Sequence, residues 1–212
     1  MNSILAENPE IDEKLYVIAS ETDGFECYGS PHAGRIAAIA DSLAEAFNIA
    51  PRDRIFLKQA ALLHDIGEKR MNRDYISSPR GLTSTELIDL HRHPVIGEQE
   101  AAKLGLPRSV QLNVRWHHEW WNGGGYPDAL ENEQIPLAAR ILRVADTFAA
   151  LTAARPYRAA LPAEEAKKLI TEWAGIEFDP AIVKAFLSIE EPELARSAAF
   201  APEPPRGGLS II

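Results

Sequence analysis

Apolar residues recur at three- and four-residue spacing through most of the chain, the period of amphipathic helices. After Ser30 they fall at Ile36, Ile39, Leu43 and Phe47, with Ser30 suited to the N-cap and Pro31 to the first helical position. Ile55, Phe56, Ala60, Leu62 and Leu63 form a broader stripe over residues 53–66, that of a buried helix, which Gly67 is expected to end. Thr83 and Glu86 have capping-box spacing ahead of Leu87 and Leu90, Pro94 to Leu104 reads as another helix closed by Gly105, and Pro107 opens one reaching His117 or His118. The glycines of NGGGYP, residues 122–127, mark a loop. Pro136 starts a strong helix from Leu137 to Leu151, and two more follow Pro162 and Pro180, the last with Asp179 as N-cap. Period-two alternation competes nowhere, so the pattern predicts an all-α helical bundle of seven or more helices. Residues 1–30 read as a short N-terminal extension, 31–190 as the domain, and 191–212, rich in proline, as a flexible C-terminal tail.

The charge balance narrows the range of partners. Lys and Arg number 22 against 31 Asp and Glu, a net charge of -9, which argues against gripping a nucleic acid polymer on a broad cationic face. Any phosphate chemistry must be local. The longest apolar runs, Leu15–Ala19 and Ile36–Ala40, fall far short of the roughly 20 residues of a membrane span. One cysteine, Cys27, excludes an intramolecular disulfide and points to a reducing compartment, and the N-terminus lacks the basic and apolar regions of a signal peptide. A cytoplasmic location is the expectation, with no room for a sensory domain in the residues before His32.

All six histidines lie between positions 32 and 118, at 32, 64, 91, 93, 117 and 118. His64 and Asp65 end an apolar helix, where burying ionisable groups costs several kcal/mol unless something compensates them. Asp146 lies inside the apolar helix ILRVADTFAAL and carries the same cost; a metal ion or a nearby Arg143 or Arg155 would offset it. His117 and His118 are adjacent, so helical geometry sets them about 100° apart, and the glycines that follow let the helix end there. Imidazole with carboxylate suits iron, manganese, nickel or zinc better than calcium or magnesium, and the number of candidate ligands exceeds what one ion uses. Two metal ions are expected.

The ordered blocks SPHAGRIAAIA, HDIGE, HRHPVIG, HHEWWNGGGYP, IPLAARILRVADTFAAL, RPYR and GIEFDP resemble the HD-GYP subgroup of the HD-domain metal-dependent phosphohydrolases over residues 31–190. The resemblance implies a metal centre in the bundle core: one ion on His32, His64, Asp65 and Asp146, the other on His93, His117 and His118, with Asp65 bridging and His91 left as a neighbour. It implies iron or manganese and hydrolysis of cyclic di-GMP to the linear dinucleotide or GMP. Two ions about 3.5–4 Å apart would activate a water for in-line attack on phosphorus. Arg155 and Arg158 match the positions that bind phosphate charge, and the Gly125-Tyr126-Pro127 loop matches one linked to docking a cyclic di-GMP synthase, a surface role.

Three positions depart from the family. Glu68 stands where Lys usually follows HDIG, reversing a local charge; Ala149 replaces an acidic residue; and Tyr28 occupies a place where some members carry a carboxylate for a third metal, which favours two ions here. A metal-dependent phosphodiesterase is the leading expectation. A phosphohydrolase with another phosphoester substrate, or a degenerate docking module that keeps its metals, are the alternatives.

Overall fold

The computed structural model describes residues 9–156 and 158–189. Among them the elements are helical: α1 (Pro9–Phe25), α2 (His32–Ala46), α3 (Pro51–Leu63), α4 (Ile66–Met71), α5 (Ser84–Leu90), α6 (His93–Lys103), α7 (Arg108–Trp116), α8 (Leu137–Leu151), α9 (Ala163–Glu172) and α10 (Pro180–Leu187). The tail beyond residue 189 lies outside the described residues.

The apolar stripe of α2, with Ile36, Ile39, Ala40 and Leu43 buried, packs on α3 and α8. Leu57, Ala60 and Leu63 of α3 and Ile141, Leu142 and Phe148 of α8 complete the core, and Phe148 meets Phe186 of α10 edge-on at 4.9 Å between centroids. Each fully buried Leu, Ile or Phe contributes about 1.5–3 kcal/mol. Around this centre α1 lies on α2, α3 and α4, while α6 joins α4 to α7. The capping box at Thr83 and Glu86, the α8 boundaries and the Asp179 cap of α10 form as the pattern predicts.

Three expectations are corrected. Residues 9–25 of the stretch read as an extension form α1, whose Leu15 and Ala19 are buried in the core. Ser30 does not cap α2: Pro31 takes the N-cap position without a side-chain bond, and the carboxylate of Asp23, from α1, accepts from the N–H groups of His32 (2.8 Å) and Ala33 (3.2 Å). A cap supplied from another helix satisfies the same orphan donors and also ties α1 to the first residue of α2. Asp23→Ala is expected to cost about 1–2 kcal/mol in chemical denaturation, the loss of a good cap, with Asp23→Asn milder. Finally, Gly67 does not end a helix. The chain leaves helical geometry at Asp65 (φ -104°, ψ 15°) and starts α4 at Ile66, with Gly67 buried inside it. A β-carbon at Gly67 would stand 2.0 Å from the His93 carbonyl oxygen, so the glycine is there to let α4 and α6 touch.

Candidate metal centre

Asp65 sits on the break between α3 and α4, with imidazoles on both sides of its carboxylate. Oδ2 lies 3.0 Å from His64 Nε2; Oδ1 lies 3.1 Å from His93 Nε2 and 3.4 Å from His117 Nε2. On the far side of His64, Asp146 Oδ1 stands 3.9 Å from His64 Nε2 and 3.6 Å from His32 Nε2. Among the described residues, His32, His64 and Asp146 form one cluster with ligand atoms within 4.8 Å of one another, and Asp65, His93, His117 and His118 form another.

The hydrogen bonds of the rings test whether an ion fits. The Nδ1 atoms of His64, His93 and His117 each face the carbonyl three residues back, of Ala61 (2.9 Å), Leu90 (2.9 Å) and Val114 (2.7 Å). Each Nδ1 therefore carries the proton it donates, and the Nε2 lone pair points at a carboxylate or at another ring, as between His93 and His117 at 3.4 Å. Acceptors facing acceptors in a buried place need a cation between them. Protons fill that role in the metal-free molecule: burial pushes His64 and His93 down, but Asp65 outweighs it, lifting His93 and bringing His64 up to about 10. His32 and His117 go the other way, lowered by burial. Burial alone would raise Asp65; the surrounding imidazoles, His64 first, hold it well below the usual carboxylate range.

Metal binding must therefore displace protons. Affinity for Mn2+, measured by competition with a chelator, is expected to rise between about pH 6 and 9, by up to tenfold per pH unit for each proton released. A flat profile would show that the imidazoles take no part.

His118 joins its cluster differently. Its Nδ1 lies 2.8 Å from Arg143 Nη1, and a guanidinium only donates, so the His118 lone pair is on Nδ1 and already engaged. An ion taking that lone pair has to displace Arg143, which also bonds Glu177 and stands 3.7 Å from Asp146. The sequence does not mark Arg143 or Glu177 as site residues; it offers Arg143 only as a partner for Asp146. The GIEFDP block gains a physical role here, because Glu177 holds Arg143 and its carbonyl accepts from Trp121 N–H.

The glycine-rich loop is built from its buried end. Glu119 is 2% exposed and accepts from the N–H groups of Asp128 (2.7 Å) and Leu130 (3.0 Å). Gly125 packs so closely on the backbone that a β-carbon would lie 2.2 Å from Trp120 N. This folds Tyr126 back on the site, its ring stacked between His91 (3.8 Å) and His118 (4.9 Å). The tyrosine expected on the surface thus covers a candidate ligand.

The two arginines part company. Arg155 lies over the Tyr28 ring at 4.0 Å, bonds the Tyr28 hydroxyl and stands 3.9 Å from Glu26, while Tyr28 itself stacks on His32 at 3.7 Å. Arg158 is exposed and donates to the Ala150 carbonyl at the end of α8. Lys69 pairs with Glu21, and Ala149 lies in the apolar core.

A helical bundle that gathers imidazoles and carboxylates around one aspartate defines a protein built to hold metal ions. The HD-domain family profile matches residues 18–182, and the chain belongs to the HD-domain family, in its HD-GYP group. It is 38% identical over 154 residues to a cyclic di-GMP phosphodiesterase of Vibrio cholerae, covering 68% of this chain and 31% of that protein. It is 36% identical over 153 residues to the 3'3'-cGAMP-specific phosphodiesterase 3 of the same organism, covering 72% and 33%. This chain thus spans about a third of the length of these relatives. The solved structure of a cyclic GMP-AMP specific phosphodiesterase of V. cholerae shares the fold with a TM-score of 0.64 at 21% identity, over 89% of this chain and 54% of that one. Among the described residues no helix is long and apolar enough to cross a membrane.

Proposed function

We propose that the chain is a metal-dependent phosphodiesterase that hydrolyses a cyclic dinucleotide, cyclic di-GMP first and 3'3'-cGAMP second. The observation that carries this reading is the position of Asp65, whose two oxygens face separate imidazole groups, as a ligand shared by two ions does. His32, His64, Asp65 and Asp146 would hold one ion and Asp65, His93, His117 and His118 the other, with iron or manganese matching the donor set. Such ions, when bound, supply Lewis acidity and lower the pKa of water. The protein's own groups do the rest. Backbone carbonyls fix the ring tautomers, the stacked Tyr126 keeps His118 in place, and Arg155, held over Tyr28, offers a guanidinium to phosphate oxygens. Arg158, although matched by the resemblance, reaches phosphate in this reading only by leaving Ala150.

The domain in this reading runs from α1 to α10, in a cytoplasmic protein. Docking of a cyclic di-GMP synthase on the Gly125-Tyr126-Pro127 loop would fall to its outward atoms, because the Tyr126 ring faces inward. The test is anaerobic incubation of protein of known iron or manganese content with cyclic di-GMP and, separately, 3'3'-cGAMP, with chromatography of the products. Linear dinucleotide or GMP is expected. No product from protein carrying two ions would sink the reading.

A further inference from the structure

Four of the five imidazoles in the two groups are held at Nδ1: His64, His93 and His117 by backbone carbonyls and His118 by Arg143. His32 is the exception. It is 2% exposed, yet its Nδ1 has no hydrogen-bond partner among the described residues. No such bond fixes the turn of its ring, on which the aim of Nε2 at Asp146 depends. What His32 has instead is Tyr28, whose ring lies on the imidazole at 3.7 Å between centroids and 14° from parallel. An imidazole lying flat on a neighbouring ring cannot turn without driving its edge into that ring. The Arg155 guanidinium lies over the same Tyr28 ring at 4.0 Å and donates to its hydroxyl. Two groups this close to one centroid must take opposite faces, so Tyr28 stands between His32 and Arg155. The loop from α1 to α2 fixes it there. Cys27 turns the chain in the left-handed region (φ 64°), Tyr28 N–H donates to the Asp23 carbonyl (2.9 Å), and the Asp23 carboxylate accepts from His32 N–H (2.8 Å).

We propose that Tyr28 is a positioning residue, which orients His32 toward its ion by stacking and Arg155 toward substrate phosphate by its hydroxyl and ring face. The inference rests on the phosphodiesterase reading, with His32 as a metal ligand and Arg155 as a phosphate partner. It gives a task to a position where the chain departs from its family: Tyr28 supplies orientation where some members carry a carboxylate. Losing the group that orients a metal-bound histidine costs about 10–100-fold in metal affinity. A hydrogen bond to a charged group is worth about tenfold or more. Substitution separates the two effects, because Phe keeps the ring without the hydroxyl, whereas Leu and Met keep apolar volume without a ring.

The test uses the full chain as wild type, Tyr28→Phe, Tyr28→Leu and Tyr28→Met, with circular dichroism melts to show which are folded; either aliphatic variant serves if the other is not. Mn2+ binding to stripped protein is titrated, and KM and kcat for cyclic di-GMP are measured on loaded protein. In Tyr28→Leu or Tyr28→Met one Mn2+ is expected to bind at least about tenfold more weakly and the other as in the wild type. Tyr28→Phe should restore Mn2+ affinity to the wild-type value, while its KM rises about tenfold and kcat stays within about twofold. Wild-type Mn2+ affinities in a folded aliphatic variant, or a loss in Tyr28→Phe as large as theirs, overturn the stacking role. An unchanged KM in Tyr28→Phe overturns the hold on Arg155. A loaded wild type that hydrolyses no cyclic dinucleotide overturns the phosphodiesterase reading instead, and the Mn2+ titrations, which need no turnover, still uphold or overturn the stacking role.

Discussion

Asp65→Ala is expected to empty both imidazole groups and reduce the proposed hydrolysis of cyclic di-GMP by at least about a thousandfold, the equivalent of some 4 kcal/mol of transition-state stabilisation. The geometry gives the reason. Asp65 supplies the oxygen 3.0 Å from His64 and the oxygen 3.1 Å from His93, so in the proposed reading one substitution removes a ligand from each group. It also removes the anion that stabilises the buried imidazolium form of His64, and breaking a buried pair costs about 3–5 kcal/mol. The metal-free variant should therefore melt lower than the metal-free wild type. Because Asp65 is held below its ordinary range, its contribution is present above about pH 4 and fades as pH falls through its lowered value. Asp65→Asn keeps the volume and removes the charge: if it retains both ions and full activity, the bridging reading is wrong. Elemental analysis and the product assay decide it.

Gly67→Ala should be nearly as damaging, for a reason unrelated to charge. In an exposed helix, replacing Gly by Ala stabilises by up to about 1 kcal/mol. Here the added carbon would lie 2.0 Å from the His93 carbonyl oxygen and 3.0 Å from Gly97 N, both backbone atoms that cannot turn aside. Either α4 or α6 must move, and His93 moves with α6. The expected cost is about 3 kcal/mol, seen as a melting temperature lower by roughly 6–12 °C, with one ion lost and His32, His64 and Asp146 still able to bind theirs. A Gly67→Ala protein as stable as the wild type, with full metal content, would show that the helices do not approach this closely in solution.

Much of this molecule is legible in its sequence because helices are local. The pattern predicts a helix over residues 137–151 and one forms there, since its apolar stripe and the preceding proline act within a few turns. The metal candidates were legible for a different reason: burying His64, Asp65 or Asp146 is costly in any fold, so their place in apolar stretches was a signal in itself.

Contacts across the bundle were not legible. Asp23 and Glu26 lie within the stretch read as an N-terminal extension, and nothing local shows that one caps α2 and the other comes near Glu68. Arg143 reads in the sequence only as a partner for Asp146, and nothing local shows that it meets His118 and Glu177, the latter 34 positions later. Gly67 signals a helix end in the sequence, whereas its function depends on a carbonyl 26 residues away.

By itself, then, the sequence determined the helices, the all-α class and the set of groups whose burial demands a cation, because period, caps and desolvation cost are properties of short segments. Only the tertiary structure decided which carboxylate lies between which imidazoles, which lone pairs are free and which arginine faces the site. Those depend on where helix axes cross, and the crossings are set by side-chain volumes and close backbone contacts summed over the whole core.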